Sequence, residues 1–238
     1  YSGVSWHHKI TVIDNRFISE RVNQIRNWNM EFVNGDILDK DLIKKYCSDA
    51  DIVHHLAGIT DVPRVKSEAN NEKEQKIKSV AEEGTQNILD AINDNCKIIM
   101  PSTHVVYEGI NEVRKDILED EETFPVLAYG KSKDYNEKQL RDSGKNFIII
   151  RLGSVYGYST DTARIDIMVN FFSKMTSQNG TLKLFGGGRQ LKSLVPLIDV
   201  ARCFKFMEER EDINNELFNF TKDTVTVKEV AEICKKFN

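Results

Sequence analysis

No two cysteines in this chain are spaced C-x-x-C, and the four present, Cys47, Cys96, Cys203 and Cys234, lie far apart. That spacing fits reduced thiols in a cytoplasmic protein better than a disulfide or zinc framework. Positive charge is not in excess: the formal net charge is -4 at pH 7, which excludes nucleic acid as the expected partner. Long apolar runs are also missing. "NFIIIRL" is representative of the longest, far short of the roughly 20 residues that span a bilayer, so no membrane association is expected. No signal peptide is visible, internal repeats and low-complexity tracts are absent, and the first residues need not be the native start. What remains is an ordinary globular composition, with 238 residues, 40% hydrophobic and 29% charged, enough to bury a sizeable core.

Short β-rich apolar runs alternate with amphipathic stretches. "KITVIDN" (9–15), "EFVNGDI" (31–37), "ADIVHHLAG" (50–58), "CKIIMPST" (96–103) and the start of "NFIIIRLGSVYG" (146–157) read as strands. Helices are predicted near 39–47, over 83–95 and over 129–142. Continuous apolar strands separated by helices predict a parallel sheet covered on both faces, a doubly wound α/β fold. Past residue 157 the pattern changes to a helix near 165–176, strands "LKLFG" and "SLVPLI", and a helix from Asp199. The expected division is a dinucleotide-binding domain over 1–157 and a mainly substrate-binding segment over 158–238. Both ends read as incomplete. The few residues between Gly3 and Lys9 leave no room for the glycine-rich turn and helix with which a dinucleotide fold opens.

Chemistry-bearing residues gather at the predicted strand ends. Asp14 closes "TVID", where an acid accepts from the adenosine ribose hydroxyls and repels a 2′-phosphate; an ordinary turn aspartate is the bland alternative. Asp36 follows the next strand, where it could accept from the adenine amino group with Ile37 packing on the ring, or cap the helix 37–47. His54 and His55 have no third ligand at metal spacing, so no metal is expected and one is predicted to face the core while the other packs locally. In "LAYGKSK", Tyr129 and Lys133 lie one helical turn apart, and an ammonium beside a phenol favours the phenolate. With 7 tyrosines in the chain this pairing arises by chance and needs company. "PSTHVVYEG" supplies it. A strand ends at the hydroxyls of Ser102 and Thr103, at the carboxyl edge where ligands bind in this architecture. A hydroxyl donor and an activated tyrosine there grip one substrate oxygen.

With these pieces in order, the chain resembles the extended short-chain dehydrogenases, specifically the NAD-dependent sugar-nucleotide epimerase/dehydratase family. The resemblance rests on "YSG", "VIDN", "GDI", "HLAG", "EGTQNILDA", "PSTHVVYEG", "YGKSK", "RLGSVYG" and "LFGGGRQLKSLVPLIDVA". It implies a catalytic triad of Thr103, Tyr129 and Lys133, with Lys133 also on the nicotinamide ribose. It implies NAD held by Gly3, Asp14, Asn15, Asp36, Ile37, Leu56, Ala57 and Gly58 as well as by Tyr129 and Lys133. For a nucleotide-sugar substrate it points to Thr103, His104, Ser154, Leu184, Phe185, Arg189 and Lys192, and it implies a homodimer through helices 83–95 and 129–142. Departures fall mostly in the substrate half: Ser154 stands where asparagine is usual, Lys192 and Ser193 where arginine and aspartate are usual, and Pro196 where histidine or tyrosine is common. Lysine meets a phosphate as a point charge, without the bidentate fork.

The residues after Thr103 choose among reactions. Dehydratases of the family carry an aspartate–glutamate pair there, and decarboxylating members a glutamate; here His104 and Val105 occupy those places. A 4-epimerase needs no extra acid, since it oxidises C4, lets the keto sugar turn, and returns the hydride to the other face. The expected activity is therefore a nucleotide-sugar 4-epimerase similar to UDP-glucose 4-epimerase. The alternatives are a dehydratase or 4-keto reductase of the same family, a member acting on a non-nucleotide substrate, and a non-catalytic NAD-binding regulator.

Overall fold

The computed structural model describes residues 8–60, 71–114, 116–159 and 164–236. In chain order the elements are β1 (Thr11–Asp14), α1 (Ser19–Asn27), β2 (Glu31–Asn34), α2 (Lys40–Cys47), β3 (Ile52–His54), α3 (Asn71–Ala91) and β4 (Lys97–Thr103). They continue with α4 (Ala128–Asp142), β5 (Asn146–Leu152), β6 (Ser154–Tyr156), α5 (Met168–Ser177), β7 (Leu191–Pro196), α6 (Leu197–Glu209), β8 (Glu216–Phe220), β9 (Asp223–Thr226) and α7 (Val227–Lys236). Strands β3, β4, β5 and β8 form a parallel sheet in that order, and β1 pairs in parallel with β2. The α/β architecture expected from the alternating runs is therefore present.

Strict alternation along β4 and β5 explains why both faces are covered. Ile98, Met100, Phe147 and Ile149 point to one side, against Ile43, Cys47, Ile88, Leu89 and Leu140 of α2, α3 and α4. Ile99, Ile148 and Ile150 point to the other, against Cys203 and Met207 of α6. Successive side chains of a strand face opposite ways, so an all-apolar run demands a layer on each side. Ile13 of β1 and Val53 of β3 pack against the first of these cores, which ties the β1–β2 pair to the larger sheet.

Several elements depart from the sequence reading. The short helix α1 and the strands β8 and β9 are not foreseen by it, and β8, well beyond residue 157, extends the main sheet beside β5. "LKLFG" is no strand: the chain runs irregularly into a 3-10 turn over Phe185–Gly188, where Gly186, Gly187 and Gly188 take φ of 56, 70 and 70°. Three consecutive left-handed residues cannot continue a pleated strand, and only glycine adopts them without strain. "SLVPLI" does give β7, which pairs with β6 in parallel and with β9 antiparallel to make a third sheet. That sheet and helices α5 and α7 enclose a separate core of Phe172, Leu194, Val230 and Ala231. A capping box starts α7: Thr226 Oγ1 accepts from the Glu229 amide at 3.1 Å, and the Glu229 carboxylate accepts from the Thr226 amide at 2.6 Å.

Candidate active site

β4 ends at Thr103 and turns at once into a 3-10 turn, His104–Tyr107, whose Val105 amide donates to Thr103 Oγ1 at 3.2 Å. This fixes the hydroxyl at the carboxyl edge of the sheet. Glu108 accepts from the Val126 and Leu127 amides at 2.8 and 2.6 Å and so sets the entry to α4, which has no side-chain cap of its own. Helical spacing then places Tyr129 and Lys133 on one face. The Thr103 hydroxyl lies close enough to the Tyr129 phenol to help lower its pKa. The Lys133 ammonium donates to the Pro101 carbonyl at 2.9 Å, two residues before Thr103. The three residues thus meet, and a small cavity lined by Ala57, Gly58, Tyr129, Ser132, Lys133 and Asn136 opens beside them.

Electrostatics corrects one expectation. Burial raises the Tyr129 phenol above the usual tyrosine value, opposed by the charge of Arg164 and the bond to Thr103. Lys133 is itself buried, and desolvation lowers its pKa to about 8 against the opposing pull of Glu137. The cation that lowers the phenol here is therefore Arg164 rather than Lys133, whose ammonium is turned to the Pro101 carbonyl. Arg164 pairs with Asp166 at 2.8 Å and approaches Thr60 at 3.5 Å, on the loop that lines the cavity. Sequence reasoning missed it, because "ARIDI" carries no motif signal.

A buried ionic network beneath the site was also missed. Glu137, one turn beyond Lys133, accepts from Arg151 at 2.6 Å with both side chains 2% exposed. It also accepts from Ser102, the neighbour of Thr103. Arg151 in turn donates to the Tyr107 hydroxyl and lies over that ring at 5.0 Å. The network joins the end of β4, the end of β5 and α4. Its sequence signal was an arginine closing an otherwise apolar strand.

In the predicted cofactor half, Asp14 stands at the tip of β1, accepts from the Arg16 amide at 2.8 Å and lies 3.9 Å from Arg21. Asn15 donates to Asp36 at 2.9 Å, coupling the tips of β1 and β2. Asp36 accepts from the Leu38 amide, and together these bonds lower its pKa. The cap of α2 is Asp39, not Asp36, since Asp39 accepts from the Leu42 amide at 3.0 Å. Ile37 lies against Gly84 of α3. Leu56 is 64% exposed, and a Cβ on Gly58 would meet nothing within 4 Å, so backbone and small side chains front an open space. Gly3 lies outside the described residues. Of the histidines, His54 stacks on Phe204 at 5.7 Å and approaches Glu208. His55 is 3% exposed, with Nε2 2.8 Å from Thr85 Oγ1, as the expected core and local packing roles require.

The predicted substrate half is more dispersed. His104 Nδ1 lies 2.9 Å from the Leu152 carbonyl oxygen, and Lys192 on β7 is close enough to depress its pKa. Ser154 opens β6, paired with Leu194 of β7. Leu184 packs into the third core, whereas Phe185 is 85% exposed, so the two do not form one apolar cradle. Arg189 is exposed, with Nε 3.3 Å from the Gly186 carbonyl.

Comparison with known proteins settles the family. The profile of the "NAD dependent epimerase/dehydratase family" matches residues 4–220. The chain belongs to that family. Among curated family relatives, a putative UDP-glucose 4-epimerase of Methanocaldococcus jannaschii is 27% identical over 96% of this chain and 74% of its own length. A CDP-paratose 2-epimerase of Salmonella typhi is 29% identical over 87% and 68%. Among solved structures, the Thermotoga maritima UDP-glucose 4-epimerase with UDP-glucose superposes with a TM-score of 0.79 at 22% identity, covering 97% of this chain and 74% of that one. The Bacillus cereus UDP-glucuronic acid 4-epimerase with UDP-glucuronic acid and NAD gives 0.78 at 24%, covering 96% and 74%. The family identifies an NAD-dependent enzyme, and the open small-residue loop and the acid at the tip of β1 suit a dinucleotide. Among the described residues no helix is long and apolar enough to cross a membrane.

Proposed function

We propose that the chain is a nucleotide-sugar 4-epimerase acting on a UDP-sugar. The observation that carries the reading is the Thr103 hydroxyl, fixed at the sheet edge by the Val105 amide and near enough to Tyr129 to lower the pKa of its phenol. The places after Thr103 hold His104 and Val105 rather than carboxylic acids. NAD supplies, when bound, an acceptor for the C4 hydride and its return. Thr103 donates a hydrogen bond to the sugar O4. Tyr129, ionised with the help of nearby Arg164, takes the O4 proton and gives it back. Lys133 and Asp14 would hold the two riboses of the cofactor, Asp36 and Ile37 the adenine, and Asn15, Leu56, Ala57 and Gly58 the space along it. Arg189 and Lys192 would face the diphosphate, with Ser154, Leu184 and Phe185 toward the rest of the nucleotide. The same reading makes residues 1–157 the main cofactor-binding part, 158–238 the main substrate-binding part, and the protein a cytoplasmic homodimer. Side-by-side packing of α3 and α4, through Asn136 to the Ala81 carbonyl at 3.0 Å, supports the dimer by presenting both helices as one face.

The names of similar epimerases support this choice over a decarboxylase or dehydratase, although a Bacillus cytotoxicus UDP-N-acetyl-glucosaminuronate decarboxylase also matches at 24% identity. Mass spectrometry of products from UDP-, dTDP-, GDP- and CDP-sugars tests it. An isomer of unchanged mass from a UDP-sugar is expected. Loss of water, loss of carbon dioxide, or gain of two hydrogens with consumption of cofactor would replace this reading by a dehydratase, a decarboxylase or a reductase.

A further inference from the structure

His104 opens the turn that follows Thr103, and its ring is held in one protonation pattern. Nδ1 lies 2.9 Å from the Leu152 carbonyl oxygen. A carbonyl only accepts, so Nδ1 carries the hydrogen. Burial, together with the charge of Lys192, keeps the ring below the usual histidine pKa, against the opposing Leu152 bond and Glu108; Lys192 and Glu108 are the charged groups acting on it. A neutral ring with its hydrogen on Nδ1 has a lone pair on Nε2. Among the described residues two buried side-chain polar atoms lack a partner, His55 Nδ1 and Asn146 Oδ1. His104 Nε2 is not one of them and has no hydrogen-bond partner among the described residues, so on this partly buried ring, directly after Thr103, its lone pair is left for a ligand.

A bare acceptor discriminates among ligand groups. A phosphate, a carboxylate or a ketone has no hydrogen to give it and meets its lone pair unfavourably. A hydroxyl, or the N–H of an acetamido group, satisfies it. We propose that His104 Nε2 accepts a hydrogen bond from a sugar substituent neighbouring the reacting carbon, and that this bond selects substrates carrying a hydrogen-bond donor there. The proposal rests on the nucleotide-sugar reading of the site. His104 serves as a specificity-determining residue, separate from the proton transfer of Tyr129.

Fluorine distinguishes a donor requirement from shape, because it keeps the size and loses the hydrogen. The test is calorimetric binding of UDP-glucose and its 2-, 3- and 6-deoxy and deoxyfluoro analogues to the NAD-loaded chain, run beside epimerisation assays. One position is expected where both replacements weaken binding about ten- to a hundred-fold. In His104→Phe that gap should close to about twofold while UDP alone binds both proteins alike; His104→Leu serves if the phenylalanine variant does not fold. His104→Gln, whose amide oxygen accepts, should keep part of the gap. A gap of equal size in the wild type and the apolar variant, or no sensitive position at all, overturns the proposal. If UDP-glucose binds but is not epimerised, the epimerase reading fails while the gap still judges His104; if no UDP-sugar binds, both fail.

Discussion

Lys133 sits in the fold at an energetic cost. Its pKa falls from 10.5 to about 8 because burial disfavours the ammonium. A lysine depressed on folding binds its proton more weakly in the native state. The penalty is therefore fully present below about pH 8 and fades as the pH rises toward the unfolded value. At neutral pH it amounts to about 3 kcal/mol at most. Lys133→Met is expected to raise the urea-unfolding free energy at pH 7 by up to that amount, with the gain vanishing near pH 10, while turnover collapses. Tyr129→Phe should lower turnover by about 10²–10⁴-fold without the gain. A Lys133→Met protein no more stable than wild type at pH 7 would show that the ammonium is not strained by burial. The Tyr129–Lys133 pair was legible in "LAYGKSK" because helical spacing alone fixes it. Arg164 was not, because its approach depends on how the chain before α5 folds back onto the loop near Thr60.

At the scale of elements, α3 approaches the turn after β2 through Gly84. A Cβ there would lie 2.8 Å from Ile37 Cγ2 and 3.1 Å from both Cδ1 and Cγ1. Asn87, one turn on, donates to the Ile37 carbonyl at 3.0 Å, so the turn cannot simply move away. Gly84→Val should therefore destabilise by about 1–3 kcal/mol despite valine's better helix propensity. Because Ile37 follows Asp36 directly, NAD titration should show several-fold weaker binding in the same variant. Unchanged stability and affinity would mean that the contact relaxes freely. Elements with strong periodicity were legible, such as the apolar runs of β4 and β5. "LKLFG" misled because its alternating leucines resemble a strand, while the glycines after it decide the backbone.

The whole molecule carries an acid-sensitive point in His55. Burial holds the imidazole neutral, its pKa lowered from 6.5 to about 3, with the charge of Lys133 adding to the effect. The unfolded chain takes up a proton below pH 6.5 that the native state refuses until about pH 3. The stabilisation is thus intact above pH 6.5 and declines as the pH falls, by about 1.4 kcal/mol per pH unit. Chemical denaturation between pH 6.5 and 4 should show a steeper loss in wild type than in His55→Asn. Parallel curves would place the acid sensitivity in other groups.

Composition, strand and helix periodicity and the order of short motifs determined the doubly wound fold, the family and the Thr103–Tyr129–Lys133 grouping. Those properties depend on the period of side chains along a strand or helix and on spacing within one element, which a linear sequence records. Only the tertiary structure decided that Glu137 and Arg151 lock the strand ends to α4 and that β8 joins the main sheet. Packing likewise sends Leu184 inward and leaves Phe185 exposed. It was the tertiary structure, too, that fixed His104 in one tautomer. Each of these follows from contacts between residues distant in the chain, where packing and desolvation, rather than local propensity, set orientation and charge.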